Sequence, residues 1–129
     1  MARMERQNQP VNEDLIVEPD VASVLECVFG LGTHHARIYA TLLDLPGSTV
    51  EEMASELDRD RSNVSRSLST LHEKGLIERH RRLLDGGGYV YQYLPVPLGD
   101  AKRMMRAGLV EWSDRVDAII LSIEHELPV

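Results

Sequence analysis

A chain of 129 residues, 43% of them hydrophobic, holds material for one compact domain, and nowhere do its apolar residues approach the ~20 in a row that cross a bilayer. Residues 1–10 are polar and unlike a secretory leader, and a single cysteine, Cys27, excludes an internal disulfide framework and leaves a reduced compartment or a bond between chains, of which the first, in the cytoplasm, is expected. Fourteen Lys and Arg stand against 21 Asp and Glu, a net charge of −7, and only Lys74 and Lys102 are lysines. Such acidity resembles that of proteins from salt-adapted organisms, in which carboxylates hold water and cations when salt competes for both.

The charge is unevenly placed. Between Arg59 and Arg82 seven basic residues face three acidic ones, a local +4 that leaves −11 for the remainder.

In chain order, residues 1–19 mix Arg, Glu, Gln, Asn and Pro without sustained periodicity and read as a mobile tail. Arg3 and Arg6 offer a minor-groove arm as the alternative, with a solvated tail preferred for so few charges. Residues 20–30 form a helix capped by Asp20 and ended by Gly30, with Val21, Val24, Leu25 and Val28 in one apolar stripe. A second helix opens at Thr33, carries Ala36, Tyr39, Leu42 and Leu43 on one side, and breaks at Leu45, Pro46 and Gly47.

Thr49 and Glu52 then have the spacing of a capping box, opening a helix whose buried stripe is Val50, Met53, Ala54 and Leu57. A three-residue turn, 58–60, leads into another helix with Asp60 as its cap, Val64, Leu68 and Leu71 as its buried face and Gly75 as its left-handed stop. At about 100° per residue, Ser62, Arg66, Ser69 and Glu73 point away from the core with Asn63 and Ser65 on the flanks. In the N-terminal half, Arg61, Ser62, Asn63, Ser65, Arg66 and Ser69 are side chains suited to reading DNA. Arginine pairs bidentately with guanine and asparagine with adenine, and serine meets base or phosphate. A merely solvated face is the bland alternative, but short side chains and scarce glutamate are poor material for one.

Residues 76–83 and 89–94 alternate as two strands around Leu84, Asp85, Gly86, Gly87 and Gly88, a loop that tolerates positive φ. Arg79 and Arg81 share one face, while Arg82 lies near the tip beside the glycines and Tyr89, within reach of phosphate or a minor groove. A solvated hairpin is the alternative. Its position directly after a helix-turn-helix favours a DNA-binding wing.

From about Asp100, Met105, Leu109, Trp112, Val116, Ile119 and Ile123 recur at spacings of four and three, a coiled-coil seam running to Glu126. Such a helix would be about 40 Å long, more than a small winged helix can cover. Homodimerisation is expected, with the 20–30 stripe packing on the seam; a purely intrachain core remains the alternative.

The stretch Leu31, Gly32, Thr33, Ala36, Arg37, Ile38, Tyr39, Leu42 and Leu43, followed by Ser62, Val64, Leu68, Leu71, Glu73, Lys74, Gly75 and Leu76, resembles the archaeal TrmB-type regulators and the wider MarR-like winged-helix group. The resemblance spans 31–97. It implies a recognition helix in the major groove (61–69) and a wing in the adjacent minor groove (81–89). Many TrmB-type proteins continue into a sugar-binding domain, whereas this sequence ends at Val129, so no sugar or other small-molecule effector is inferred.

The expected fold is mainly α with a small β-hairpin: tail 1–19, helix 20–30, winged helix-turn-helix 31–97 and coiled-coil dimerisation helix 98–129. The expected partners are double-stranded DNA and a second copy of the chain, with no membrane. No cofactor is implied beyond salt cations at a DNA interface. A protein-interaction module of the transcription machinery and a non-specific architectural chromatin protein stay open as other functions.

His34 and His35, with His72, His80 and His125 scattered, show neither CxxC nor HExxH spacing, so no metal site is expected. Cys27, beside the apolar stripe, reads first as a small buried hydrophobe and second as a redox sensor near Met104 and Met105. No nucleophile has a base and an orienting partner, no glycine loop cradles phosphate and no carboxylates are evidently paired, so an enzyme is not expected.

Overall fold

The structure, a computed structural model, describes residues 15–126, so Arg3, Arg6 and most of the expected tail lie outside it. Six helices and one hairpin follow in order: α1 (Val21–Phe29), α2 (Thr33–Asp44), α3 (Val50–Leu57), α4 (Arg61–Glu73), β1 (Ile77–Leu83), β2 (Tyr89–Pro95), α5 (Leu98–Leu121) and α6 (Ile123–Glu126). The fold is mainly helical with a two-stranded antiparallel sheet, as its sequence implies.

Local chemistry sets most of the boundaries. Asp20 accepts from the Ser23 amide at 2.8 Å while the Ser23 hydroxyl accepts from the Asp20 amide at 3.3 Å, closing a box at the start of α1. Thr49 and Glu52 do the same for α3, with bonds of 3.2 and 2.9 Å. At the end of α4 the chain turns left-handed at Gly75 (φ 79°), and the Leu76 amide reaches back to the Leu71 carbonyl at 3.0 Å.

The core lies where α2, α3 and α4 meet the root of the hairpin. Leu42, Met53, Leu68 and Ala101 are fully enclosed, with Val64 and Leu71 close behind, and Ala101 brings the start of α5 onto this core. In α2 the buried residues are Ile38 and Leu42, while Leu43 is 37% exposed, so the buried side is turned from the one expected. Ala36 and Tyr39 pack at its edge, and the Tyr39 hydroxyl donates to the Val96 carbonyl.

The strands pair in register from Ile77 opposite Pro95 to Leu83 opposite Tyr89. Beside them Tyr93 makes an isolated bridge to Ser48, its amide donating to the Ser48 carbonyl at 2.9 Å and its carbonyl accepting from Gly47 at 2.8 Å. This third rung ties the hairpin to the segment entering α3.

The long helix α5 departs from expectation in one respect. It starts at Leu98 and its 24 residues span about 36 Å, but regular winding stops at Ser122, before Ile123. The Ser122 amide and hydroxyl both donate to the Ile119 carbonyl, at 3.0 and 2.8 Å, tightening the chain there and interrupting the seam. Among the described residues no helix is long and apolar enough to cross a membrane.

Candidate nucleic-acid interface

The turn between α3 and α4 passes through Asp58 at φ 52°, and the Arg59 amide returns to the Ala54 carbonyl at 3.0 Å. Asp60 then caps α4 by accepting from the Asn63 amide at 3.4 Å. With Val64, Ser67, Leu68 and Leu71 packed inward, Arg61, Ser62, Asn63, Arg66 and Ser69 are exposed and Ser65 is half-buried.

Two arginines on this helix are already engaged. Arg61 donates from Nε to Glu51 Oε1 at 2.8 Å, a bond that holds the Glu51 carboxyl below its usual range. Arg66 donates from Nη2 to Asn63 Oδ1, one turn back. The guanidinium and amide suited to guanine and adenine thus orient each other on one flank of α4.

On the wing, opposed residues share a face, so Arg79, Arg81, Tyr89, Tyr91 and Tyr93 lie together while Glu78, His80 and Arg82 face the other way. Arg79 lies over the Tyr91 ring at 4.6 Å and Arg81 over the Tyr89 ring at 4.4 Å. Tyr89 and Tyr91 meet edge to face at 5.3 Å. Each cation–ring contact is worth about 0.5–1 kcal/mol at such exposure and holds its arginine stem down while leaving N–H groups free. The sequence reading placed both arginines on one face but did not see the tyrosine ladder, although the alternation in Tyr89–Val90–Tyr91–Gln92–Tyr93 carried that signal.

At the root of the wing, burial raises the Tyr93 phenol above its ordinary range, while Arg79 and, more weakly, Arg61 oppose the shift. At the tip, Gly87 and Gly88 adopt φ of 97° and 79°, and the Leu84 amide closes the loop on the Gly88 carbonyl at 3.1 Å. Gly86 needs no such freedom.

A cleft of 370 Å³ between α2 and α4 is lined by His34, His35, Arg59, Asn63, Arg66 and Thr70. Of these, sequence reasoning singled out Asn63 and Arg66 for DNA and weighed the histidines only for a metal. His35 Nδ1 accepts from the Gly32 amide at 3.0 Å, and burial, then the neighbouring His34, keeps the His35 imidazole below its ordinary pKa. Among the described residues no three His, Cys, Asp or Glu side chains are grouped to hold a metal.

The residues expected at a dimer interface divide into two sets. Leu25 is buried and Met105 packs against the core of their own chain. Val28 and Val116 are half-buried, while Val21, Val24, Leu109, Trp112, Ile119 and Ile123 are exposed. Cys27 is exposed too, contrary to its reading as a buried hydrophobe, because α1 turns Leu25 inward and Cys27, two residues on, away.

Residues 25–98 match the family described as sugar-specific transcriptional regulator TrmB. An uncharacterised protein of Methanocaldococcus jannaschii is 29% identical over 104 residues, 81% of this chain and 79% of its own length. A possible transcriptional regulator from Methanosarcina mazei superposes with a TM-score of 0.74 at 27% identity, covering 86% of this chain and 94% of its own. A variant of MepR from S. aureus, bound to an oligodeoxyribonucleotide, shares the fold at 18% identity and a TM-score of 0.50, over 83% of this chain and 72% of its own. With its winged helix and a family match over more than half its length, this chain belongs to the TrmB family of transcriptional regulators.

Proposed function

We propose that this protein regulates transcription as a homodimer that binds an inverted-repeat DNA site. One observation carries the reading: Asn63 and Arg66, hydrogen-bonded to each other, stand on the exposed flank of α4 beside a wing whose arginines rest on tyrosines. The oligodeoxyribonucleotide complex of a MepR variant, a protein of the same fold, supports DNA as the partner. Arg61, Ser62, Ser65 and Ser69 extend the reading surface, and Arg82 with Gly86, Gly87 and Gly88 forms the wing tip.

The dimer is argued from apolar exposure. Leu109 is 48%, Trp112 40% and Ile119 60% exposed along α5, far more than one helix of a lone chain leaves open to water. A second α5 covering this stripe would set two recognition helices on successive major grooves about 34 Å apart.

The acidic remainder of each chain makes a dimer that duplex repels until cations screen it. Ordinary counterion release weakens binding as salt rises; here affinity is expected to persist or rise toward molar KCl. Selection of bound genomic fragments against excess competitor DNA tests the function. One enriched palindromic sequence is the expected result, equal competition by all DNA would indicate an architectural protein, and no retained DNA would indicate a protein-interaction module. A steep fall in affinity from low salt upward would overturn the salt reading alone.

A further inference from the structure

The cleft between α2 and α4 contains no acidic residue, although acidic side chains outnumber basic ones across the chain, 21 to 14. Among the described residues its two guanidiniums also have no ion-pair partner. The ion pairs among the described residues join Arg61 to Glu51, His80 to Glu78, Arg103 to Asp100 and Arg115 to Glu111, and none includes Arg59 or Arg66. Two imidazoles from the first turn of α2 and Thr70, whose hydroxyl donates to the Arg66 carbonyl at 3.1 Å until a stronger acceptor enters, line the rest of the cleft. The N-cap residue of the 12-residue α2, Gly32, offers no side chain to the first amides of the helix, so the dipole adds positive potential at the same end. By contrast, Asp60 caps α4.

Basic side chains around an open, acid-free cleft favour a compact oxyanion. A carboxylate would satisfy one arginine, whereas a phosphate presents oxygens in several directions and can meet two guanidiniums and a hydroxyl at once. We infer that this cleft binds a phosphate group through Arg59, Arg66, Thr70 and His34. That group comes either from the backbone of a duplex lying on α4 or from a free phosphorylated solute. The site stands without the DNA reading; only its backbone source rests on it.

The consequence lies in Arg66. The same guanidinium serves the cleft and the base-reading flank, so a free phosphate seated there holds Arg66 away from a base edge. Free phosphate and duplex therefore compete.

The test uses the full-length protein, inorganic phosphate and a duplex, with Arg59→Gln as the variant because the Arg59 side chain is exposed and its loss leaves the core intact. Arg106→Gln, on the exposed side of α5, is the control. Phosphate is expected to shift the ring resonances of His34 and His35 saturably at constant ionic strength, and to leave those of His80 on the wing unmoved. Arg59→Gln should weaken this binding about five- to tenfold and Arg106→Gln should not.

In the second arm, Arg59→Gln should lower duplex affinity by the same factor on matched and scrambled sequences, because a phosphate contact carries no base information. Shifts with inorganic phosphate but an unchanged duplex affinity would assign the cleft to a free solute. A uniform loss of duplex affinity, with the duplex alone moving the two rings, would assign it to the backbone. If neither phosphate nor duplex moves the rings and Arg59→Gln behaves as wild type, the inference is overturned. A wild-type protein that binds phosphate and no duplex would refute the DNA reading and leave the site standing.

Discussion

Val28 of α1 rests on Gly108 of α5, occupying the space that a β-carbon at position 108 would need. The absent side chain lets the two helices approach closely and seats α1 on the long helix. Gly108→Ala forces Val28 to move, and overpacking of this kind costs about 1–3 kcal/mol against about 1 kcal/mol gained in helix propensity. A net loss of up to about 2 kcal/mol is expected in chemical denaturation. Val28→Ala should be less harmful in the Gly108→Ala background than in wild type, and strictly additive effects would count against the contact.

Glu51 holds Arg61 in the free chain through an exposed pair, with both side chains more than half accessible. Pairs this open contribute about 0–1 kcal/mol. Glu51→Gln should therefore leave the thermal midpoint nearly unchanged while releasing Arg61 and removing a negative charge beside the duplex. Fluorescence anisotropy should show affinity raised up to about fivefold. A weaker complex would mean that Glu51 positions Arg61 for DNA.

Trp112 and Ile119 test the dimer. A central interface tryptophan commonly carries about 2 kcal/mol or more, so Trp112→Ala should raise the dimer dissociation constant at least about 30-fold. Ile119→Asp should leave a monomer in analytical ultracentrifugation with its helix content retained. A wild-type chain that sediments as a monomer at micromolar concentration would refute the interface.

His35 predicts a pH dependence of stability. Its imidazole lies below the ordinary value of 6.5 through burial and then through His34, and its Nδ1 must stay unprotonated to accept from the Gly32 amide. The unfolded chain therefore binds a proton more readily than the folded one as pH falls below that value. Stability is full above it and declines as pH drops toward the lowered folded-state value, below which this contribution levels off. His35→Gln should flatten the profile in this window. Glu51 and Glu52, both held low by hydrogen bonds, add a separate acid loss beginning below their ordinary 4.5.

Much of this architecture was legible because it is local. Capping joins residues three apart, so Asp20 with Ser23, Thr49 with Glu52 and Asp60 with Asn63 obey rules that need no knowledge of the rest of the molecule. The left-handed stop at Gly75 and the glycine tip of the wing follow from φ alone. Rotation of a helix about its axis is less secure. The 3.6-residue period allowed Leu43 as a core residue of α2 where packing chose Ile38.

By itself the sequence determined the order of elements, the winged helix-turn-helix, the inward face of α4 and the concentration of arginine on α4 and the wing. Periodicity, capping and charge are properties of neighbours along the chain. Tertiary structure alone decided that Arg61 meets Glu51, that Arg79 and Arg81 lie on tyrosines, that Cys27 faces water and that Arg59 joins His34 across a cleft. Each depends on how elements distant in sequence are rotated and set against one another, and a shared hydrophobic core imposes that arrangement only once it closes.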